Sequence, residues 1–117
     1  KIMKYLPMLL LCLLVLFLLK KRFFDTTDYK ALLAEGAIIV DVRSPAEFSG
    51  GYIENSLNIS VGELMNKLEY LKDKDQTIIT CCASGMRSGV AKQLLVAKGY
   101  KHVINGGGWS SLSNKIK

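Results

Sequence analysis

The chain has 117 residues, which predicts one domain, and its formal net charge is +6. Five of its sixteen Lys and Arg residues flank one apolar block, and from Phe23 onward eleven basic residues stand against ten acidic ones. That near-neutral balance supplies no basic face for nucleic acid, so we expect no nucleic-acid partner.

The apolar block runs from Tyr5 to Leu19 without a charge. It predicts an apolar N-terminal helix over residues 1–22, with basic flanks, that anchors the chain by a single pass through the membrane at residues 5–19. The flanking charges favour a domain on the cytoplasmic side. The alternative is a cleaved signal peptide, which also has a basic start and an apolar core and which would export the domain.

Residues 23–117 form the predicted domain, in which apolar runs of strand length alternate with segments of helical periodicity. Buried strands are predicted at 37–42, 76–81 and 102–104, with a brief strand at 57–59. Helices are predicted after an N-cap within 25–27, from Ser44-Pro45 through Phe48, from about Ser88 to Gly99, and from Trp109 after a turn at 105–108. This alternation predicts an α/β domain with a central, largely parallel sheet flanked by helices.

Residues 80–89, TCCASGMRSG, span the end of the second buried strand and the segment after it. Ligands of parallel α/β sheets bind beyond the carboxyl ends of the strands, and Cys82 lies at such an end. A tight loop over 83–87 that enters a helix directs backbone N–H groups inward, and Arg87 adds a positive charge. This field favours a thiolate, so we predict that Cys82 is a nucleophile. Packing is the alternative for a cysteine at a strand end, and it suits Cys81 better.

Three charged residues, Asp41, Arg43 and Glu47, lie at or just beyond the end of the first strand. Substrate contact or acid–base work is possible for them, but paired charges at strand ends are commonly structural. We therefore expect Arg43 to pair with Glu47 and Asp41 to cap nearby backbone. No cluster of His and Cys has the spacing of metal ligands, so the sequence predicts no metal and no organic cofactor.

Three motifs in order make the sequence similar to the rhodanese (sulfurtransferase) homology domain. They are DVRSPAEFSGGYIENSLNI, CASGMRS and GYKHVINGGGW. The resemblance implies a sheet of about five strands, the missing one around Phe23-Phe24. It also implies that Cys82 accepts a sulfane sulfur as a persulfide. The residues that would bind the substrate around it are Ala83, Ser84, Gly85, Met86, Arg87 and Ser88.

The function implied is transfer of sulfur from a donor such as thiosulfate or a protein persulfide to a thiol or cyanide. A non-catalytic sulfur carrier or partner-binding module is the alternative. Related phosphatases and arsenate reductases carry a loop one residue longer than Cys82–Arg87, which disfavours that chemistry. Ala83 stands where many relatives have a longer polar or basic residue, so weak affinity for thiosulfate is expected. The physiological donor, the acceptor and the oligomeric state are left open.

Overall fold

The computed structural model describes residues 2–23 and 26–117, with side chains over 3–19 and 26–117. The helices are α1 (Ile2–Phe23), α2 (Tyr29–Ala34), α3 (Pro45–Ser49), α4 (Met86–Ala97) and α5 (Trp109–Ile116), with short 3-10 turns at Leu64–Asn66 and Leu68–Tyr70. The strands are β1 (Ile38–Asp41), β2 (Leu57–Asn58), β3 (Ile78–Cys82) and β4 (Val103–Gly108).

The strands form one sheet in the order β2-β1-β3-β4, and every neighbouring pair is parallel. The predicted α/β fold with a parallel sheet flanked by helices is therefore confirmed. The sheet has four strands in the described part of the chain, where about five were predicted. The extra strand was placed at Phe23-Phe24, but Phe23 belongs to α1, and Phe24 lies outside the described residues.

The central strand β3 is buried along its whole length and divides the core into two layers. Side chains alternate between the faces of a strand. Ile78 and Cys82 therefore pack on one face with Val40 and Leu95. Ile79 and Cys81 pack on the other face, with Leu112 of α5 and Tyr29 of α2 among their neighbours. The two adjacent cysteines thus point to opposite sides of the sheet, and both are free thiols.

The helix after β3 begins earlier than the sequence indicated. Gly85 precedes α4 with φ at +100°, a left-handed conformation that glycine adopts without steric cost. The chain therefore turns from strand to helix within three residues, and α4 starts at Met86. Ser88, near which the helix was predicted to begin, lies instead inside the first helical turn and is fully buried.

Helix caps account for two further boundaries. The carboxylate of Asp28 caps α2 by accepting a hydrogen bond from the Ala31 N–H, so the cap follows the predicted 25–27 segment. Ser44 caps α3, and Glu47 completes a reciprocal capping box with it. The helix that was predicted to open at Ser44-Pro45 is thereby confirmed, and its cap fixes the direction of the Glu47 side chain.

Strand β4 continues through the glycines that were predicted to form a turn. A Cβ at Gly106 would lie 2.9 Å from the Ile79 Cγ2 atom, and one at Gly108 would lie 2.9 Å from the Ala83 carbonyl oxygen. Side chains at these positions would hold β4 away from β3 and from the loop that follows it. The glycines therefore permit the close approach of β4 to the end of β3.

The prediction of a membrane anchor is wrong. Within the described residues, no helix combines the length and the apolar character needed to cross a membrane. The uncharged run from Tyr5 to Leu19 reaches only about 22 Å as a helix, against a hydrocarbon thickness of about 30 Å. The predicted single pass through residues 5–19 is therefore wrong, and so is the membrane localisation that was based on it. The domain boundary between residues 22 and 23 stays a prediction.

Candidate active site

The thiol of Cys82 lies at the carboxyl end of the central strand, where the chain turns into α4. Its Sγ accepts hydrogen bonds from the backbone N–H of Gly85 at 3.0 Å and of Ser88 at 3.4 Å. The Ser88 hydroxyl lies 3.4 Å from the same sulfur. Donors from the loop and from the first turn of α4 thus converge on one atom, together with the positive end of the helix dipole. This arrangement stabilises negative charge on sulfur.

The two neighbouring thiols differ in acidity. Burial acts to raise the pKa of Cys82, but the hydrogen bonds of Ser88, through its hydroxyl and its N–H, oppose it. The N–H groups of Gly85 and Ser84 add to them, and the pKa of Cys82 falls below that of an ordinary cysteine. Burial raises the pKa of Cys81 to about 12, and the nearby Asp41 carboxylate contributes. Because the thiolate is the nucleophilic form of cysteine, these opposite pKa shifts favour Cys82 over Cys81 as the candidate nucleophile.

A carboxamide that the sequence analysis did not single out holds the donors in place. The Asn105 Oδ1 accepts from the Ser88 hydroxyl at 2.7 Å and from the Gly107 N–H at 3.0 Å, while its Nδ2 donates to the Gly85 carbonyl at 3.1 Å. Asn105 on β4 is paired in register with Thr80 on β3. The available signal was a polar residue directly after the predicted strand at 102–104 and just before a glycine run.

Substitution of Ser88 with Ala is expected to raise the pKa of Cys82, because it removes the hydroxyl beside the sulfur, whose single proton points to the Asn105 Oδ1 or, when Cys82 is ionised, turns to the thiolate. The reaction rate of Cys82 with iodoacetamide should fall about tenfold at neutral pH, the worth of one hydrogen bond to a charged group. Since a raised pKa leaves less thiolate only below that pKa, the rate should recover to the wild-type plateau at alkaline pH. Peptide-resolved alkylation across a pH series measures this. An unchanged profile, or a lower plateau, would contradict the assignment.

Asp41 and Arg43 form a buried ion pair behind the loop. The guanidinium donates to both carboxylate oxygens of Asp41 through Nε at 3.0 Å and Nη2 at 2.7 Å, and burial leaves the side chains only 4% and 1% exposed. The hydrogen bonds to Asp41 raise the pKa of Arg43 despite its burial. The predicted pairing of Arg43 with the Glu47 carboxylate is wrong, because Arg43 reaches only the Glu47 carbonyl oxygen, at 3.2 Å. The predicted backbone cap by Asp41 is present, since its Oδ1 accepts the Arg43 N–H.

Arg43 also contacts the segment after α3 and the first residue of α5. Its Nη2 donates to the Gly51 carbonyl at 2.7 Å, and its guanidinium stacks 4.6 Å from the centre of the Trp109 ring. The same indole lies so close to Gly51 that a Cβ there would come within 2.9 Å of it. The Arg43 side chain therefore links the segment after α3 to α5.

The carboxylate of Glu47 pairs across the chain with Arg87. The two Nη atoms of Arg87 donate to the two carboxylate oxygens at 2.7 and 2.9 Å, in a bidentate contact between α3 and the first turn of α4. The hydrogen bond from Arg87 and then the Ser44 backbone lower the pKa of Glu47 to about 2. Glu47 in turn raises the pKa of Arg87. The cation predicted for the cradle is thus already partnered.

The remaining predicted site residues lie on the outer side of the loop. Ala83, Ser84 and Met86 are exposed, and Gly85 is half-buried. A separate groove of about 570 Å³ is lined by residues such as Ala37, Ile53 and Ile116, and none of its lining residues belongs to the Cys82 loop. The hydrogen bonds on sulfur therefore identify the candidate site better than the size of a groove does.

The protein is thus an α/β domain whose central parallel strand ends in a thiol that accepts hydrogen bonds from backbone amides. Residues 25–115 match the family model described as the rhodanese-like domain. The chain belongs to the rhodanese-like family.

Named relatives and a solved structure agree with this assignment. A putative mitochondrial thiosulfate sulfurtransferase of Schizosaccharomyces pombe is 31% identical over 96 residues, which cover 71% of this chain and 68% of the relative. The thiosulfate sulfurtransferase PspE of Escherichia coli is 32% identical over 75 residues, 63% of this chain and 72% of that protein. A structure of rhodanese with anions from E. coli has a TM-score of 0.62 at 32% identity and covers 64% of this chain and 89% of its own. The fold is therefore that of rhodaneses, and the named relatives include sulfurtransferases.

Proposed function

We propose that this protein is a sulfurtransferase that carries a sulfane sulfur on Cys82 as a persulfide. The observation that carries the proposal is the convergence of the Gly85 and Ser88 N–H groups on the Cys82 sulfur. Loop residues Ala83 to Arg87 and Ser88 form the binding cradle. Asp41, Arg43 and Glu47 support it from the segment after β1.

The proposed reaction proceeds in two displacements. In the first, the Cys82 thiolate attacks the outer sulfur of thiosulfate, a sulfur–sulfur bond forms, and the bond to the sulfite sulfur breaks. Sulfite leaves with that electron pair, and the enzyme keeps a persulfide anion. In the second, cyanide or a thiolate attacks the terminal sulfur, and thiocyanate or a new persulfide departs as the Cys82 thiolate returns.

The cradle suits both anionic states of this cycle. The backbone donors and the start of α4 favour the thiolate before the transfer and a charged terminal sulfur after it. The Cys82 side chain has no exposed surface, so a donor reaches the sulfur only when the residues that cover it shift. A thiosulfate ion and a persulfide on another thiol remain candidate donors, and a thiol or cyanide the acceptor.

Two alternative functions differ from sulfur transfer, one in the absence of turnover and the other in the length of the loop that it requires. A sulfur carrier or partner-binding module would use the same fold without turnover. Phosphatase or arsenate reductase chemistry is disfavoured by the six-residue loop Cys82–Arg87, which leaves less room for a tetrahedral oxyanion.

The test combines intact mass with turnover. Treatment with thiosulfate should add the mass of one sulfur atom, which a reductant removes. Thiosulfate with cyanide should then give thiocyanate and sulfite over many turnovers. A mass gain without turnover would indicate a carrier, and no mass gain with any sulfane donor would contradict the proposal.

A further inference from the structure

We propose that Glu47 is a specificity-determining residue that disfavours small anionic sulfur donors at the Cys82 loop by neutralising Arg87. This inference rests on the proposed function and names the donors that the same site selects against. Arg87 is the last residue of the six-residue loop Cys82–Arg87, and its charge interacts with that of the Cys82 sulfur. A free guanidinium at this position would attract a dianion such as thiosulfate, whereas a paired one presents little net charge.

The position of Glu47 is set before any donor arrives. The Glu47 Oε1 atom accepts from the Ser44 N–H at 3.2 Å and from its hydroxyl at 3.1 Å, and the Glu47 N–H donates back to that hydroxyl. From the other side, Arg43 donates to the Glu47 carbonyl oxygen. The carboxylate is therefore already oriented when it meets Arg87, which reduces the entropy lost in making the pair.

Mild changes of pH do not relieve this neutralisation. The Arg87 hydrogen bond lowers the pKa of Glu47 to about 2, so the carboxylate stays charged from weakly acidic to alkaline conditions. An anionic donor must instead compete with Glu47 for the guanidinium or react without it. The side chains of the pair are 38–39% exposed, so water and salt weaken the attraction between Glu47 and Arg87. Glu47 therefore lowers the reactivity towards anionic donors without abolishing it.

The test compares a charged and an uncharged probe of the same thiol. Peptide-resolved alkylation of Cys82 by iodoacetate and by iodoacetamide gives a rate ratio that reports the local charge without requiring sulfur transfer. The substitution Glu47→Gln removes the charge but can keep the capping box. We expect the iodoacetate-to-iodoacetamide ratio to rise about two- to fivefold, with a similar rise in the rate of persulfide formation from thiosulfate.

Two controls isolate the pair. Glu35→Gln makes the same charge change at an exposed residue between α2 and β1, towards the amino ends of the parallel strands and away from Cys82, and should leave the ratio unchanged. The double variant Glu47→Gln with Arg87→Gln should return the ratio close to that of the wild type, because the gain depends on the released guanidinium. In the wild-type protein itself, iodoacetate alkylation should respond only weakly to added salt, since a neutralised arginine offers little charge to screen.

The proposal is overturned by an unchanged or lower ratio in Glu47→Gln, by a gain that persists without Arg87, or by a steep fall of wild-type iodoacetate alkylation with salt. Failure of the proposed function would look different. In that case Cys82 would be alkylated with the iodoacetate-to-iodoacetamide ratios predicted for the wild type and the variants. The wild-type protein, however, would take up no sulfur from any sulfane donor.

Discussion

Replacement of Cys82 with Ala is expected to abolish sulfur uptake from thiosulfate, whereas Cys81→Ala should retain most of it. The two residues are adjacent but point to opposite faces of β3. Only the Cys82 sulfur receives the loop amides, and its pKa is lowered, whereas burial raises the pKa of Cys81 to about 12. At neutral pH a thiol with so high a pKa carries almost no thiolate.

Intact mass after timed exposure to thiosulfate measures the effect, with the two variants as matched controls for each other. Both substitutions remove one buried thiol from the same strand, so a general loss of packing would affect them alike. Sulfur uptake by Cys82→Ala at a rate near that of the wild type would contradict the assignment. So would loss of uptake in a folded Cys81→Ala protein.

Arg43→Ala is expected to destabilise the protein by about 3–5 kcal/mol, because it leaves the buried Asp41 carboxylate without its partner. The Asp41 side chain is 1% exposed and accepts hydrogen bonds from two guanidinium nitrogens of Arg43. The substitution also removes the hydrogen bonds to the Gly51 and Glu47 carbonyl oxygens and the stacking on Trp109. The cost therefore arises from an uncompensated charge together with lost packing.

Urea denaturation gives the free energy of unfolding for this comparison. The control is Lys101→Ala, which breaks an ion pair with Asp75 whose side chains are 67% and 71% exposed. An exposed pair of this kind contributes at most about 1 kcal/mol. If Arg43→Ala cost no more than Lys101→Ala, the buried pair would not support the fold in the way described here.

Local sequence patterns were sufficient for the central strands. The runs at 37–42 and 76–81 predicted buried strands, and β1 and β3 lie within a residue or two of those bounds. Continuous β-branched and apolar residues suit a strand that is covered on both faces, and no competing signal occurs in either run. The position of Cys82 at a strand end followed from the same pattern.

The pairing of charges could not be read from spacing. Arg43 is two residues from Asp41 and four from Glu47, and both separations allow contact. Burial decided the outcome, since Asp41 lies inside the domain, where an unpaired carboxylate is costly, and Glu47 lies at the surface within reach of Arg87. The partner of Glu47 is forty residues away in sequence, so only the fold brings the two together.

The hydrogen bonds by which Asn105 positions the residues around the Cys82 sulfur could not be predicted from the local sequence. Asn105 contacts Ser88 and Gly85 only because β4 lies beside β3, and that approach depends on side-chain-free positions such as Gly106. The glycines were interpreted as a turn from their composition, whereas they serve close packing of two strands. Hydropathy alone was similarly misleading for the N-terminal segment, where the predicted membrane span proved wrong.

The most direct test of the account is to locate the transferred sulfur in the wild-type protein. After brief exposure to thiosulfate, the thiols and persulfides are alkylated, the protein is digested, and fragment ions distinguish the adjacent cysteines within one peptide. The account predicts an additional sulfur on Cys82, with Cys12 and Cys81 alkylated as plain thiols or unreacted. An additional sulfur on Cys81, or none on Cys82 although the protein is folded and its thiols are reduced, would contradict it.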